Sequence, residues 1–207
     1  MRLPPVRAFG IVALLLSAAG CANLPNDVGV RRHRSNVELT RKASHHPIVA
    51  TWNDDSTAKG PTRILVNLTI QQAFFYRGET LIGQTNISSG RHAYETPPGK
   101  YHVIQKDAQH VSNEYGVYEN RLGEVVVRNA EACRTSQPDG THFVGAPMPY
   151  FLRFRDGYGM HAGFVPRYRA SHGCIRMPIE MAQHFFDAAR VGTSVEVVEP
   201  GIPVSPR

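Results

Sequence analysis

The residues of this sequence best suited to chemistry lie between His161 and Arg176 and include a cysteine. A cysteine reacts as its thiolate, so a reactive one needs a base, a cation or backbone N–H donors beside it. Cys174 has two histidines near it in the sequence, His161 and His172, and Arg176 follows it closely. A cysteine, a histidine base and a donor-rich turn are the minimal parts for acyl transfer through a covalent intermediate. We therefore predict that Cys174 is a nucleophile, with His161 or His172 available as its base.

The turn around Cys174 is itself suited to binding a negative charge. Gly173 allows backbone angles that other residues avoid, and Pro178 is typical of the first turn of a helix. The cysteine would then lie where the chain enters a helix, and backbone N–H groups without intrahelical partners point outward there. Such amides could lower the pKa of the thiol and hold an oxyanion.

Alternating apolar residues predict short strands around this cluster. The first predicted strand has an apolar residue at every second position, as expected for a strand with one buried face: Ile64, Val66, Leu68 and Ile70. Further strands are predicted at 73–76, 80–87, 101–104, 124–127, 149–154 and 194–198. One helix is predicted from Pro178 to Gly192, with an apolar stripe at Met181, Phe185, Ala188 and Ala189. This pattern indicates a mainly β domain, a sandwich or a barrel, with one helix after the cysteine turn.

The first twenty residues have the composition of a secretory signal. Arg2 and Arg7 precede an apolar run at 11–16, and small residues at 17–20 lead into Cys21. The run is shorter than a membrane span, which needs about 20 apolar residues. A cysteine after Ala-Gly resembles the lipidation site of bacterial lipoproteins, although Ala18 stands where leucine is usual. We predict a signal peptide at 1–20 and a lipid on Cys21; an ordinary signal peptide is the alternative.

The rest of the chain predicts one domain with a tether and a tail. Residues 21–60 are polar with little periodicity, which indicates a flexible tether containing at most a short ordered piece. The catalytic domain is predicted at 61–200 and a tail at 201–207. Part of the formal net charge of +6 lies at 31–42, in a stretch that is either a solvated tether or attracted to anionic lipid. No aromatic-rich basic segment is present, so with an export signal we predict no nucleic-acid partner.

Cysteine and histidine usage leaves two other possibilities open. Two thiols in an oxidising compartment usually indicate a disulfide, which here would join Cys133 to Cys174. Because Cys174 must stay free to react, Cys133 is left without a role, and a buried small apolar side chain is one possibility. A rival hypothesis is a zinc site formed by His142, His161, His172 and Cys174. The His-x-Cys spacing is shorter than that of paired zinc ligands, and we predict no metal and no cofactor.

The cluster resembles the catalytic motif of the L,D-transpeptidase family, the YkuD domain. Seven consecutive residues, SHGCIRM at 171–177, match the family's Ser/Thr-His-Gly-Cys motif, and MHAG at 160–163 resembles the base segment of a lipoprotein branch. Ser89-Gly90 and the segment 94–101 resemble two further family segments. The resemblance therefore covers about residues 62–199, nearly the whole predicted domain.

The resemblance implies a peptidoglycan L,D-transpeptidase acting on stem peptides. Cys174 would attack the bond between meso-diaminopimelate and D-alanine of a tetrapeptide, and His161 would be the base that carries the protons. His172 would hold the turn by hydrogen bonds rather than act as the base. The amides of Gly173 and Cys174 would form the oxyanion hole. Arg176 would bind a carboxylate of the stem peptide in a bidentate fork. The other candidate substrate-binding residues are Tyr150, Ser171 and His172.

The resemblance leaves the acceptor open. The loop 164–170 is shorter than in many members, and it borders the substrate site. Another stem peptide, a wall-linked lipoprotein, a D-amino acid or water could accept the acyl group, so a hydrolytic variant (L,D-carboxypeptidase or endopeptidase) is an alternative. A non-catalytic wall-binding lipoprotein is another. Ala162 stands where some members have serine or glycine, which predicts a backbone carbonyl as the partner of His161. Ala22 after Cys21 resembles lipoproteins of the outer membrane, so we predict the periplasm, with a lipid anchor in the inner face of that membrane.

Overall fold

The first predicted strand lies inside a six-stranded sheet. The computed structural model describes residues 49–53 and 57–200. The strands of this sheet are β1 (Ala50–Trp52), β2 (Thr62–Asn67), β3 (Gln72–Arg77), β4 (Thr80–Asn86), β5 (Gly99–His102) and β13 (Ser194–Val198), in the order β1-β4-β3-β2-β13-β5. Strands β2 and β13 are parallel, and all other neighbours are antiparallel. The closing strand of the chain therefore pairs with the first predicted strand.

A four-stranded sheet carries the cysteine motif. Its strands are β6 (Gln105–Asp107), β10 (Phe151–Arg155), β11 (Tyr158–Ala162) and β12 (Ile175–Met177), in the order β12-β11-β10-β6. Strands β11 and β12 are parallel, whereas β10 is antiparallel to both β11 and β6. Leu152, Met160 and Ile175 are fully buried and anchor this sheet in the core.

A third sheet is inserted in the chain between β6 and β10. It consists of β7 (Val111–Asn120), β8 (Val125–Glu131) and β9 (Thr141–Pro147), in the order β8-β7-β9, and we call it the inserted sheet. Tyr118 and Ala130 are buried within it, but neither belongs to the main hydrophobic core. The inserted sheet therefore lies outside the main hydrophobic core.

Helix α1 (Ile179–Ala188) follows the cysteine motif directly. It begins after Pro178, which suits a helix start, and it buries Met181, Ala182 and Phe185. The ring of Phe185 packs edge-on against Phe75 of β3, with centroids 5.2 Å apart. Burying a side chain of this size stabilises the fold by about 1.5–3 kcal/mol. The helix also contacts β1, β10 and β11, so it joins the six-stranded and four-stranded sheets around one core.

The prediction of a mainly β fold with one helix after the cysteine turn is confirmed, but the sheets are open and form no closed barrel in the described part of the chain. The strand at 194–198 has the predicted bounds. The first strand ends at Asn67 rather than at residue 70, because the Asn67 side chain accepts hydrogen bonds from the amides of Thr69 and Ile70 and starts a turn. Strand β10 begins at Phe151, since Tyr150 before it has a φ of 59°.

The predictions for the two ends of the chain lie mostly outside the described residues. The signal peptide, Cys21 and the tail at 201–207 are among the residues that the structure leaves undescribed. Strand β1 lies within the segment predicted as a tether, and Trp52 of that strand packs against Phe75 and Phe185. Within residues 49–53 and 57–200, no helix is both long and apolar enough to cross a membrane.

Candidate active site

Parallel pairing of β11 with β12 brings His161 and Cys174 together. Met160 pairs with Ile175, and His161 pairs with Arg176. Cys174 directly precedes β12, so it lies beside the strand that carries His161. Both residues line one cavity of about 290 Å³. The two residues that sequence reasoning paired as base and nucleophile therefore open onto the same space.

The walls of this cavity come from different parts of the fold. The four-stranded sheet and the cysteine turn supply one part. The inserted sheet supplies residues 112–115 of β7 and residues 146–148 at the end of β9. Phe164, which is 78% exposed, lies at the cavity in the loop after β11. The inserted sheet is therefore a wall of the site, although it contributes nothing to the core.

His161 is buried and held in one orientation. Only 6% of its surface is exposed, and its Nδ1 lies 2.8 Å from the carbonyl oxygen of Ala162. A carbonyl only accepts, so Nδ1 carries the proton and Nε2 is left as the atom that can accept one. Burial lowers the pKa of His161 to about 4. The imidazole is therefore neutral near neutral pH, and the prediction of a backbone carbonyl as its partner is confirmed.

Cys174 is partly buried and protonated at rest. Its Sγ donates to the carbonyl oxygen of Gly157 at 3.4 Å. Burial raises the pKa of the thiol, and the backbone of Gly159 and the charges of Arg153 and Arg176 offset only part of that rise. A thiol in this state needs a base to become nucleophilic, which is the role that the neutral His161 can fill.

Hydrogen bonds from buried hydroxyl groups fix the cysteine turn. The Ser171 hydroxyl accepts from the Gly173 amide at 3.1 Å and donates to the Cys174 carbonyl oxygen. The Thr96 hydroxyl donates to the Gly173 carbonyl oxygen at 2.7 Å. Ser171 lines the cavity, but its hydroxyl is engaged by the turn. The Gly173 amide is engaged too, whereas the Cys174 amide donates to no atom in the described part of the chain.

Gly173 is required by the shape of this turn. Its φ is 113°, a conformation that only glycine adopts readily. A Cβ at this position would lie 2.8 Å from Cε1 of the Tyr158 ring. Tyr158 therefore packs directly on the turn and restricts the path of the backbone that leads to Cys174.

His172 lies in a cluster of polar and aromatic side chains. Its Nε2 lies 2.7 Å from Nη2 of Arg91, and guanidinium only donates, so Nε2 accepts. Its ring stacks on Tyr115 of the inserted sheet, with centroids 4.4 Å apart, and meets Tyr94 edge-on. Burial and then the charge of Arg91 lower its pKa. His172 thus connects the cysteine turn to the inserted sheet.

Arg176 is partly buried, and its guanidinium has no ion-pair partner among the described residues. Its backbone exchanges hydrogen bonds with Ser88, which fixes β12 at that point. Its aliphatic stem passes next to Gly163, where an added Cβ would lie 3.2 Å from Cγ of Arg176. Burial lowers the pKa of this guanidinium. A guanidinium that lines a cavity and has no ion-pair partner there is suited to binding an anionic ligand.

Two residues singled out from the sequence lie away from the cavity. Tyr150 does not line it; its ring packs edge-on against Phe186 of α1, with centroids 5.8 Å apart. Cys133 is exposed and free, and Cys174 is free as well, so the two form no disulfide. The possibility that Cys133 is a buried apolar side chain is therefore wrong, because it lies in a surface turn directly after β8.

The histidines and cysteines of the described residues form no metal-ligand group. No three His, Cys, Asp or Glu side chains in residues 49–53 and 57–200 are arranged to hold a metal ion. The histidine of the zinc hypothesis farthest from the motif, His142, lies on β9 and does not line the cavity.

The family to which the chain belongs follows from its sequence. A model of the L,D-transpeptidase catalytic domain (YkuD) matches residues 61–197. The chain belongs to this family. No curated protein matches its sequence.

Solved structures of L,D-transpeptidases share the fold. One from Mycobacterium smegmatis has a TM-score of 0.50 at 16% identity, over 66% of this chain and 58% of that one. L,D-transpeptidase 3 from Mycobacterium tuberculosis, in complex with a faropenem-derived adduct, has a TM-score of 0.50 at 20% identity, over 67% of this chain and 60% of that one. The chain thus spans less than two thirds of each of these relatives, and at such identities the likeness is one of fold.

Several residues of this L,D-transpeptidase domain that face the site were missed by sequence reasoning. They are Arg91, Glu114, Tyr115, Arg153 and Phe164. Arg91 immediately follows Ser89-Gly90, so that family segment was the available signal for it. The residues of β7 had no such signal, because their strand is polar and lies in an insertion.

Proposed function

We propose that this chain is a peptidoglycan L,D-transpeptidase that uses Cys174 as nucleophile and His161 as general base. The observation that carries the proposal is the shared cavity, onto which a neutral, oriented imidazole and a protonated thiol both open. Membership of the L,D-transpeptidase family supports the choice of peptidoglycan as substrate.

In the first half-reaction, His161 takes the thiol proton at Nε2 while Sγ of Cys174 bonds to the carbonyl carbon of meso-diaminopimelate. The bond from that carbon to the nitrogen of D-alanine then breaks, and D-alanine leaves with the proton that His161 carried. In the second half-reaction, the amine of an acceptor attacks the thioester and gives a proton to His161. The thiol leaves and recovers that proton, so one amide replaces another and no energy source is consumed.

The negative charge of the tetrahedral intermediate needs donors that are not already used. The Gly173 amide is bonded to the Ser171 hydroxyl, so it serves the turn in the resting enzyme. The Cys174 amide is the better candidate of the two for the oxyanion, because it has no acceptor in the described part of the chain. Removing one such donor lowers kcat by about 10²–10³-fold in other enzymes.

Arg176 is the proposed partner of a substrate carboxylate. It lines the cavity and forms no ion pair with any described acid. A guanidinium binds a carboxylate through two parallel hydrogen bonds, which orients the ligand as well as holding it. Ser171 and His172 line the cavity too, but their polar atoms hold the turn, so we assign them to positioning rather than to substrate.

We also propose that the protein is exported and carries a lipid on Cys21, which places the domain beside peptidoglycan in the periplasm. The support is the sequence of residues 1–21. Metabolic labelling with a palmitate analogue tests this: the wild type takes up the label, and Cys21→Ala does not. Equal labelling of both proteins would contradict lipidation at this residue.

The catalytic proposal is tested by intact-mass analysis with faropenem or a carbapenem. The M. tuberculosis relative is described with a faropenem-derived adduct, which makes this class a reasonable probe. We expect one adduct on the wild type, none on Cys174→Ala, and one on Cys133→Ala, whose thiol is exposed and does not line the cavity. Release of D-alanine from a tetrapeptide, and formation of a cross-linked dimer rather than a tripeptide, then separate transfer from hydrolysis. A folded wild type that forms no adduct would contradict the mechanism.

A further inference from the structure

The cavity carries two positive charges on the wall that the four-stranded sheet supplies. Arg176 lies on β12 and Arg153 on β10, and the charges of both lower the pKa of the Cys174 thiol. Arg153 donates from Nε to the Gln105 side-chain oxygen at 2.8 Å and from a second nitrogen to the Asp156 carbonyl oxygen. Both of these acceptors are neutral. This wall therefore offers uncompensated positive charge to a ligand.

A negative charge lies on the wall that the inserted sheet supplies. Glu114 of β7 lines the same cavity and is exposed, and it forms no ion pair with any cation of the described residues. Its backbone is fixed at both ends: its amide donates to the Ser112 hydroxyl at 3.2 Å, and its carbonyl oxygen accepts from the Ala132 amide at 2.8 Å. The side chain is thus presented from a defined position on β7.

The charge of Glu114 reaches the nucleophile. It contributes to the raised pKa of Cys174, and it offsets a part of the lowering of the pKa of His172. Burial is the main cause of the raised pKa of Tyr115, followed by a hydrogen bond between the Tyr115 hydroxyl and the Glu114 carboxylate, which leaves that carboxylate further acceptor positions for a ligand. An acid that disfavours the thiolate works against the first step of the proposed reaction, and its position therefore calls for another role.

We infer that Glu114 is a specificity-determining residue that binds the free side-chain ammonium group of the diamino acid in the stem peptide, while Arg153 and Arg176 bind carboxylates of the peptide, among them the one on that same side chain. The inference rests on the proposed function, since it names the part of the substrate that each wall of the same cavity recognises. A diamino acid such as meso-diaminopimelate carries both charges on its side chain, and the cavity offers a partner of opposite sign for each.

This arrangement selects against ligands with only one kind of charge. A ligand that has carboxylates but no amine would leave Glu114 facing negative charge without a partner. Specificity commonly depends on such a penalty as much as on the contacts made by the correct ligand. A bound ammonium would in addition offset the effect of Glu114 on the thiol, so the correct substrate would favour its own attack.

The test is a double-mutant cycle between Glu114 and the amine of the ligand. The full-length protein, purified in detergent with Cys174→Ala to prevent turnover, is titrated calorimetrically with two ligands. One is the meso-diaminopimelate tetrapeptide, and the other is the same peptide with its side-chain amine acetylated. We expect acetylation to weaken binding about tenfold when Glu114 is present, as expected for a hydrogen bond between charged groups. After Glu114→Gln, acetylation should have almost no effect.

Glu119→Gln is the matched control, because Glu119 lies on the same strand and does not line the cavity. It should leave the tenfold effect of acetylation intact. An effect of acetylation that is equal with and without Glu114→Gln would overturn the inference. Release of D-alanine by the wild type is measured in parallel. An effect of acetylation that depends on Glu114, without release of D-alanine, would support the role of Glu114 and reject the proposed reaction. Release of D-alanine without such an effect would support the reaction and reject the role of Glu114. A tetrapeptide that neither binds nor reacts would reject both.

Discussion

The Nη2 atom of Arg91 lies 2.7 Å from Nε2 of His172, and 81 positions of sequence separate the two residues. Arg91 extends from the segment after β4, whose backbone also pairs with the cysteine turn: its own amide donates to the Ser171 carbonyl oxygen at 3.0 Å. The His172 ring also stacks on the ring of Tyr115, which lies on β7 of the inserted sheet. His172 therefore links the cysteine turn, the segment after β4 and the inserted sheet next to Cys174.

The first prediction is that Arg91 positions the cysteine turn through His172. Arg91→Ala should lower the rate of Cys174 acylation by about tenfold, because the ring loses the charge-assisted hydrogen bond that fixes its tautomer. It should also raise the pKa of His172, since the Arg91 charge is one cause of its lowered value. NMR titration of the His172 ring measures this directly, and Arg91→Lys should restore part of both properties. An unchanged His172 titration in Arg91→Ala would contradict the assignment.

The second prediction concerns the pH dependence of acylation. In the proposed mechanism the neutral form of His161 is the active base, and burial lowers the pKa of this residue to about 4. The base therefore remains available as the pH falls through the ordinary histidine range, and the rate should decline only near pH 4. The measurement is kcat/KM for acylation by a carbapenem across this range, on protein shown to remain folded. An acidic limb centred near the ordinary histidine pKa of about 6.5 would show that another group is the base.

The third prediction is that His161 makes the fold sensitive to acid. Its pKa is lower in the folded state than in the unfolded chain, so between about 6.5 and about 4 the unfolded state binds more protons. The free energy of unfolding should therefore fall as the pH falls through this window, by about 3 kcal/mol from this one residue. Urea unfolding of the wild type and of His161→Gln at both ends of the window measures the difference. Parallel pH dependences of the two proteins would contradict the prediction.

Sequence reasoning succeeded where a pattern is local. Strand β13 could be predicted to the residue because Val195 and Val197 alternate with polar residues between a turn and a proline, and burial of one face requires that period. Cys174 and His161 were both singled out by short motifs close together in the sequence, and the structure places both at one cavity. The backbone carbonyl partner of His161 followed from the small residue beside it, Ala162.

Sequence reasoning failed where long-range contacts decide the structure. Strand β7 is the longest in the described part of the chain, but its residues are mostly polar, and irregular register against both β8 and β9 breaks its period. Its pairing depends on neighbours that are distant in sequence. Tyr150 was predicted to bind substrate, because an aromatic ring near a motif can either line a pocket or pack in the fold. Its backbone has a positive φ, and its ring packs against Phe186. Neither fact has a local signature.

The fourth prediction is that Ser171 positions the nucleophile through its hydroxyl. Ser171→Ala removes the acceptor of the Gly173 amide and the donor to the Cys174 carbonyl oxygen. Leaving such buried groups unpaired should lower the free energy of unfolding by about 1–3 kcal/mol. It should also lower the rate of acylation, measured by stopped-flow fluorescence, while Ser171→Thr restores most of the rate because it keeps the hydroxyl. A Ser171→Ala protein that loses stability but acylates at the wild-type rate would limit the residue to a structural role.

The fifth prediction is that Gly173 tolerates no side chain. In Gly173→Ala, the new Cβ would meet the Tyr158 ring at 2.8 Å, on a backbone whose φ of 113° already disfavours alanine. The turn must shift to relieve the close contact and the backbone strain, and a displacement of about 1 Å at a reacting group can lower a rate about 10²-fold.

Gly140→Ala is the matched control: φ at Gly140 is also positive, at 72°, but no atom lies within 4 Å of the added Cβ. The control should lose about 1 kcal/mol of stability from backbone strain and keep the wild-type rate of acylation. The measurements are thermal unfolding and intact-mass kinetics with a carbapenem. Similar acylation rates for the two variants would show that the contact with Tyr158 does not hold Cys174 in place.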